Sequence, residues 1–597
     1  MGNLTDRLLR FVVGDAGVAR TAILVWAAAS LLMLVATGGD VGRRFDDPDD
    51  AMRLAEVRDL LGGQGWFDTT QYRVAPPAGL PMHWSRIIDV GLAGLFLAAR
   101  LLLDIVPAER AAMAAWPLLL LLAATWAVTA ISRHIASPAA SFPAALLFIT
   151  SAAAVDQFYP GHVAHHNAQL LATLILVAGA IRMKEGPRFG MLAGLGAALM
   201  LAIGLETILY LIVVVAYIAL LLAYCRRAVV AAVQAFGLSF GIGTAALALM
   251  TMAPSRIMER SCDMLSLPLT LAAVVGGIGL AALAGPVAQS PRMPVRLVLL
   301  ALLGVIVCTV AFGIAPQCLH GPFAGLDPRL WPIWLDHDTG IQGMAAFLRD
   351  DPWGTLARFH LALLTVPAWV LAMWAFPDRR GETGVLGILF AVALGVAYVR
   401  SSPYFLVFAA PIVAVAIAHL ARIGIAWGMA QATGTAAALI ATIALPLLIR
   451  APAALAAKPS PNLQNATMAT TGRCAEPASY TPLANLPEGV ALAPIYEAPF
   501  ILVASRQQVL AAGYHRDEKG ILATYSMFTA PEQEAHRLLA ARGIRYVVLC
   551  RGEGSAMWLG EMAPTGLAAD LLAGRTPDWL EAIAPANGEP LMIFRVR

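Results

Sequence analysis

Apolar runs long enough to cross a bilayer recur from residue 21 to residue 450. On a ~20-residue criterion there are about 13, centred near residues 29, 121, 147, 175, 197, 215, 240, 276, 304, 368, 392, 412 and 438. The stretch 89–106 approaches that length and reads as an embedded or interfacial helix of the first outer loop. Basic residues support this division. With the N-terminus inside, the inner loops carry Arg133; Arg182, Lys184 and Arg188; Arg226 and Arg227; Arg292 and Arg296; Arg379 and Arg380; and Arg422. Counting 89–106 as a span would invert most of that pattern.

The pattern predicts a transmembrane region over 1–451, with long outer loops at 39–108 and 314–360, and an outer tail over 452–597. Residues 451–464 have the Pro- and Ala-rich composition of a linker. Beyond it, 490–494 and 500–504 read as short strands. A helix is expected over 531–542, N-capped by Thr529 and ended by Gly543, followed by a buried strand over 544–550. The fold class is thus a polytopic α-helical membrane protein with a C-terminal soluble α/β domain.

Composition agrees. Of 597 residues, 59% are hydrophobic and 13% charged, with a mean hydropathy of +0.71. Soluble domains carry about 25% charged residues. A net charge of +3 is too small to argue for nucleic acid as a partner, and no basic run supports one. No cleavage site follows the first span, which reads as retained. Among the six cysteines, Cys262 with Cys318 and Cys474 with Cys550 can pair in an oxidising compartment. Cys225 and Cys308 read as packed thiols.

The candidate chemistry sits in the outer loops. Arg43, Arg44, Asp46, Asp47, Asp49, Asp50 and Arg53 follow directly on the first span. Carboxylates this close repel unless a cation or another charge neutralises them. The same loop carries Arg86 beside His83 and Trp84, suited to a polar headgroup next to lipid. The next outer loop holds Asp156, His162, His165 and His166, with three of the chain's 11 histidines within five residues. Glu206 lies near the outer end of an apolar span, where a carboxylate is a functional candidate. Arg400 and Tyr404 lie at the outer end of a late span. Each group also has a plainer reading, as a solvated loop, a polar cap over helix ends or a snorkelling helix end.

Together these pieces resemble the catalytic subunits of oligosaccharyltransferases, within the GT-C class of membrane glycosyltransferases. The shared features are the spans, a long first loop opening on Asp-Pro with a later Arg (Asp47-Pro48 and Arg53), a second motif in the next loop, and a C-terminal α/β domain. The family's Gly-x-x-Asp-His-His reads here Gly161-His162-Val163-Ala164-His165-His166, so a methyl group stands at the aspartate position. The Trp-Trp-Asp motif is missing. The resemblance implies a polyprenyl-phosphate donor, a glycan, lipid or protein acceptor, surrounding membrane lipids, and a divalent cation such as Mg or Mn. It implies metal ligation by Asp47 and His166, with His162 or Asp156 in place of the missing aspartate, and substrate contacts from Arg53 and Arg400; the residues themselves add Asp50 and Glu206 to Asp47 as catalytic candidates, and Arg86 and Tyr404 as substrate contacts. The Ala-rich composition points to a bacterial inner membrane, and the basic inner loops to a cytoplasmic N-terminus and a periplasmic C-terminal domain. A non-catalytic protein that binds or translocates a lipid-linked glycan is the alternative.

Overall fold

The first apolar run forms helix α1 (Val18–Thr37), about 30 Å long at 1.5 Å per residue, enough for a hydrocarbon core. The computed structural model describes residues 17–597, apart from 324, 339–344, 346–347, 350, 396–401, 427–430, 457–471, 552 and 585–589. After α1 the chain builds α2 (Pro48–Leu61), a small hairpin of β1 (Thr70–Gln71) and β2 (Leu80–Pro81), and α3 (Arg86–Arg100). Helix α3 is the apolar stretch read as interfacial, capped at its start by the Ser85 side chain.

The apolar series then runs through α4 (Ile105–Ile135), α5 (Ser141–Thr150), α6 (His166–Ala180), α7 (Pro187–Ile203), α8 (Ile208–Cys225) and α9 (Val230–Thr251). It continues through α10 (Leu267–Gln289), α11 (Met293–Ile314), α12 (Pro352–Ala375), α13 (Arg380–Gly395), α14 (Ser402–Ala426) and α15 (Gln431–Ala456). Among the described residues, seven helical segments are long and apolar enough to cross a membrane, with Ile208–Thr251 taken as one. The chain is a polytopic membrane protein. Helix α14 is its axis, buried without a break from Ser402 to Ala418, whereas α11 buries only Arg296. Gly237 of α9 and Gly277 of α10 let two backbones touch: a Cβ on either would collide with the other's carbonyl oxygen.

The C-terminal segment forms a five-stranded mixed sheet in the order β4-β3-β5-β7-β6. Strands β3 (Val490–Leu492), β4 (Gln508–Val509) and β5 (Ile544–Cys550) are parallel; β7 (Leu591–Val596) and β6 (Leu580–Ala584) add antiparallel. Strand alternation gives the sheet two apolar faces. Tyr546, Val548 and Cys550 share a core with Phe45, Met52, Trp84 and other residues of the segment between α1 and α4. Val547 and Leu549 share another with Leu326, Leu330 and Trp334 and with α17 (Glu518–Thr529) and the helices that follow it in the chain. The first loop also adds to the sheet edge, where Val509 N–H donates to Arg73 O at 2.8 Å.

Several local expectations are corrected. Residues 500–504 are not a strand: they end helix α16 (Ala498–Ala504), with Pro499 in its first turn. A short apolar run looks the same in either element. The expected 531–542 helix is α18 (Glu532–Ala541), and its cap is Pro531. The Thr529 hydroxyl instead donates to Tyr525 O within α17, which Thr529 ends. Two further helices, α19 (Gly554–Met562) and α20 (Leu567–Leu572), complete the layer. Both expected cysteine pairs are joined, Cys262–Cys318 and Cys474–Cys550. Cys308 is exposed on α11 rather than packed.

Candidate active site

The acidic run after α1 is the start of a helix. Asp47 is extended (φ −130°, ψ 129°) and N-caps α2, its Oδ1 accepting from the Asp49 N–H at 2.9 Å. Pro48 takes the first helical position, where a missing N–H costs nothing. Asp49 and Asp50 fill the first turn, where the helix dipole favours negative charge. The helix end therefore relieves part of the repulsion among these carboxylates.

From that start the side chains diverge. Asp50 is buried, and its Oδ1 accepts from the backbone N–H groups of Val163 and Ala164 at 2.7 and 2.8 Å. Its Oδ2 lies 3.1 Å from His162 Nδ1. Asp50 thus clamps the histidine loop onto α2. Gly161 (φ +107°) makes the turn, and the Asn167 amide donates to the Gln157 and His162 carbonyls at 3.1 and 3.0 Å.

One turn further, Arg53 is fully buried. It donates to Asp89 at 2.7 Å and Glu56 at 3.1 Å, with its guanidinium 4.3 Å from the centroid of Trp84. Arg86 is equally buried, bonded to Asp89 at 3.0 Å, to Gln64 and to the Asp68 carbonyl. Burial pushes the Glu56 carboxyl up, against the opposing pull of Arg53. These two arginines tie α2 to α3, and neither lines the two cavities described next.

The remaining carboxylates face open space. A cavity of about 410 Å³ is lined by Asp49, His83, Trp84, His165, Glu206, Asp263, Trp334, Tyr514 and His515. Its other wall is apolar: Ile208 and Ile212 of α8, Pro268 and Leu269 of α10, and Ala311 and Phe312 of α11. A second cavity of about 200 Å³ is lined by Asp47, Asp156, Gln157, His166, Arg358, Ser402 and Tyr404. Between them, Asp47, Asp49 and His166 bring one ligand atom each to within 4.8 Å of one another, and His165, His166 and Glu206 form an overlapping set. The His165 and His166 rings lie 4.3 Å apart, tilted by 40°, and reach Glu206 at 3.6 and 3.3 Å.

Glu206 stands in the turn between α7 and α8, not within a span. Burial opposes its charge, but His166 and His165 outweigh it and hold the carboxyl well below its usual range. Burial, then His166, pushes His165 down to about 4, so it is neutral at physiological pH. Burial raises the Asp156 carboxyl against the pull of Arg358 and His162. The Tyr514 hydroxyl donates to Asp49 Oδ1 at 3.1 Å, which brings the C-terminal segment into the site.

Of the expected ligands, Asp47 and His166 meet, Asp156 lines the second cavity outside their set, and His162 turns to Asp50. Tyr404 is buried on α14, its hydroxyl 3.5 Å from the Gln169 side-chain oxygen. Arg400 lies outside the described residues. Ala164 offers no side-chain ligand, yet a second carboxylate is present in Asp49. Two carboxylates with an imidazole suit Mg²⁺, Mn²⁺ or Zn²⁺, so the donor set fits a divalent cation. Asp49 was one of four like carboxylates in the sequence and Arg358 was missed there, although an Arg within a late apolar helix is a usable signal. Helix α12 breaks from helical geometry just after it, at Phe359 (φ −111°, ψ 17°).

No protein-family model matches the chain, and no curated protein matches it in sequence. Solved structures do. The oligosaccharyltransferase AglB from Archaeoglobus fulgidus, in complex with an inhibitory peptide and a dolichol-phosphate, superposes with a TM-score of 0.67 at 14% identity, over 92% of this chain and 72% of that one. The apo form of the Archaeoglobus fulgidus enzyme gives 0.64 at 14% identity, over 94% and 73%. Its complex with Zn and sulfate gives 0.60 at 13% identity, over 92% and 70%. At such identity the likeness establishes the fold alone. This chain has the fold of the archaeal oligosaccharyltransferase, the architecture its sequence resemblance to GT-C glycosyltransferases implied.

Proposed function

We propose that this chain is a membrane glycosyltransferase that moves a sugar or oligosaccharide from a polyprenyl-phosphate donor to an acceptor on the outer face of a bacterial inner membrane. One observation carries the reading. Asp47, Asp49 and His166 stand between a large cavity with one apolar helix wall and a smaller polar cavity holding Asp156 and Arg358. An amphiphilic donor suits the first cavity, its chain along α8, α10 and α11 and its head toward the carboxylates. The acceptor suits the second. The archaeal enzyme of like fold has been solved with a dolichol-phosphate and with an inhibitory peptide.

The transfer breaks the bond from the sugar's anomeric carbon to the phosphate oxygen and forms one to the acceptor atom. The leaving phosphate keeps the electron pair, and the acceptor loses a proton. Asp47, Asp49 and His166 would hold a divalent cation, which when bound supplies positive charge for the leaving phosphate. Glu206, held ionised by its histidines, orients groups through hydrogen bonds but is too weakly basic to take the proton readily. Asp156, with its raised carboxyl, is the better base. Asp50, Arg53 and Arg86 position the site from behind. Arg400 is assigned to the donor phosphate on the family resemblance, and Tyr404 lines the acceptor cavity.

The thirteen-span topology, the cytoplasmic N-terminus and the periplasmic C-terminal domain belong to this reading, and two joined cysteine pairs near that domain suit an oxidising compartment. The test is reconstitution of the full chain in vesicles carrying radiolabelled lipid-linked sugars extracted from bacterial inner membrane. The reading expects label to leave the polyprenyl phosphate for a new product. Label that crosses the bilayer but stays on its lipid would replace the transferase with a translocator.

A further inference from the structure

Beyond the carboxylate cluster, a second group of ligand-bearing side chains assembles from three distant segments. His83 follows strand β2, Asp263 lies in the loop between α9 and α10, and His515 comes from the C-terminal segment. One ligand atom from each lies within 4.8 Å of the others, and all three residues line the larger cavity. His515 Nε2 sits 2.7 Å from Asp263 Oδ2, and the His83 and His515 rings lie 4.9 Å apart. The His83 Nδ1 is buried and has no hydrogen-bond partner among the described residues. Asp263 does not need His83 as an ion-pair partner. Arg516 grips both its oxygens, at 2.6 and 2.8 Å.

We propose that His83, Asp263 and His515 form a second metal site, selective for Zn²⁺ or a similar imidazole-preferring ion and separate from the carboxylate-rich set at Asp47. The ion takes the place of the hydrogen between His515 and Asp263 and collects His83 as third ligand. Two imidazoles and one carboxylate, with a fourth position open to the cavity, is a donor set that zinc accepts and magnesium does not favour. Arg516 supports it from behind, as hydrogen-bonded partners of ligating carboxylates do. The site joins the first outer loop, the 252–266 loop and the C-terminal segment beside the Cys262–Cys318 bridge, which braces the same loop.

The test does not depend on turnover. Metal-free full-length chain in detergent is given zinc chloride in the presence of tenfold excess magnesium chloride, and bound zinc is counted by mass spectrometry after gel filtration. The background is Asp47→Ala/His166→Ala, which removes the other cluster. One zinc per chain is expected there, and none once His83→Phe is added. That change keeps an aromatic ring against His515, so the metal-free melting temperature should hold. His515→Gln provides a second variant, expected to weaken zinc binding at least tenfold. A background variant that binds no zinc would overturn the proposal. So would undiminished zinc in the His83→Phe and His515→Gln variants.

Discussion

Helix α2 carries two sets of charges that look alike in the sequence and end in opposite environments. Asp47 and Asp49 face cavities and meet His166, whereas Asp50, Arg53 and Glu56 turn inward and are matched by His162, two backbone N–H groups, Asp89 and Arg86. The inward set is neutralised within the protein. The outward set gathers negative charge that the helix N-terminus only partly balances. Position relative to the helix axis, rather than residue type, separates a structural charge from one available for chemistry.

The largest expected effect that sharpens this contrast is on the outward side. Asp47→Ala should lower transfer roughly 100- to 1,000-fold, the scale for losing one electrostatic contributor at a reacting centre. Thermal melting should move little, because only one capping bond is lost. The inward side should behave in reverse. Arg53→Met leaves Asp89 and Glu56 buried without their main partner, a loss of about 3–5 kcal/mol read by denaturation in detergent. Asp50→Asn retains an acceptor for the loop but loses the charge opposite His162, a loss of about 1–3 kcal/mol.

The smallest expected effect is a pH dependence. Burial opposes charge on His162, but Asp50 at 3.1 Å, with Asp47 and Asp46 beyond, raises it from 6.5 to about 9. A folded value above the unfolded one stabilises fully below pH 6.5, fades above it and is lost as pH rises through about 9. The wild-type melting temperature should fall across that window more than that of His162→Gln. Equal slopes would mean that the pair carries no charge.

Much of this arrangement was legible. The match to the family's Asp-Pro and Gly-x-x-Asp-His-His motifs singled out Asp47 and His166, because both motifs are short and local in the sequence. The direction of each side chain was not legible, since Asp49 and Asp50 are neighbours that part only when the helix forms. Tyr514 reaches Asp49 across 465 residues, and no local pattern announces such a contact. The same holds for the sheet, whose one face is completed by Phe45 and Trp84 of the first loop. Residues 500–504 misled because an unbroken apolar run lacks the periodicity that separates strand from helix.

The central claim, that the outward cluster of α2 performs glycosyl transfer, is tested most directly by following radiolabel from a lipid-linked sugar donor with wild-type and Asp47→Ala protein at matched folded amounts. The account predicts turnover by the wild type and its near-complete loss in Asp47→Ala with little change in melting. Normal turnover by folded Asp47→Ala would contradict it.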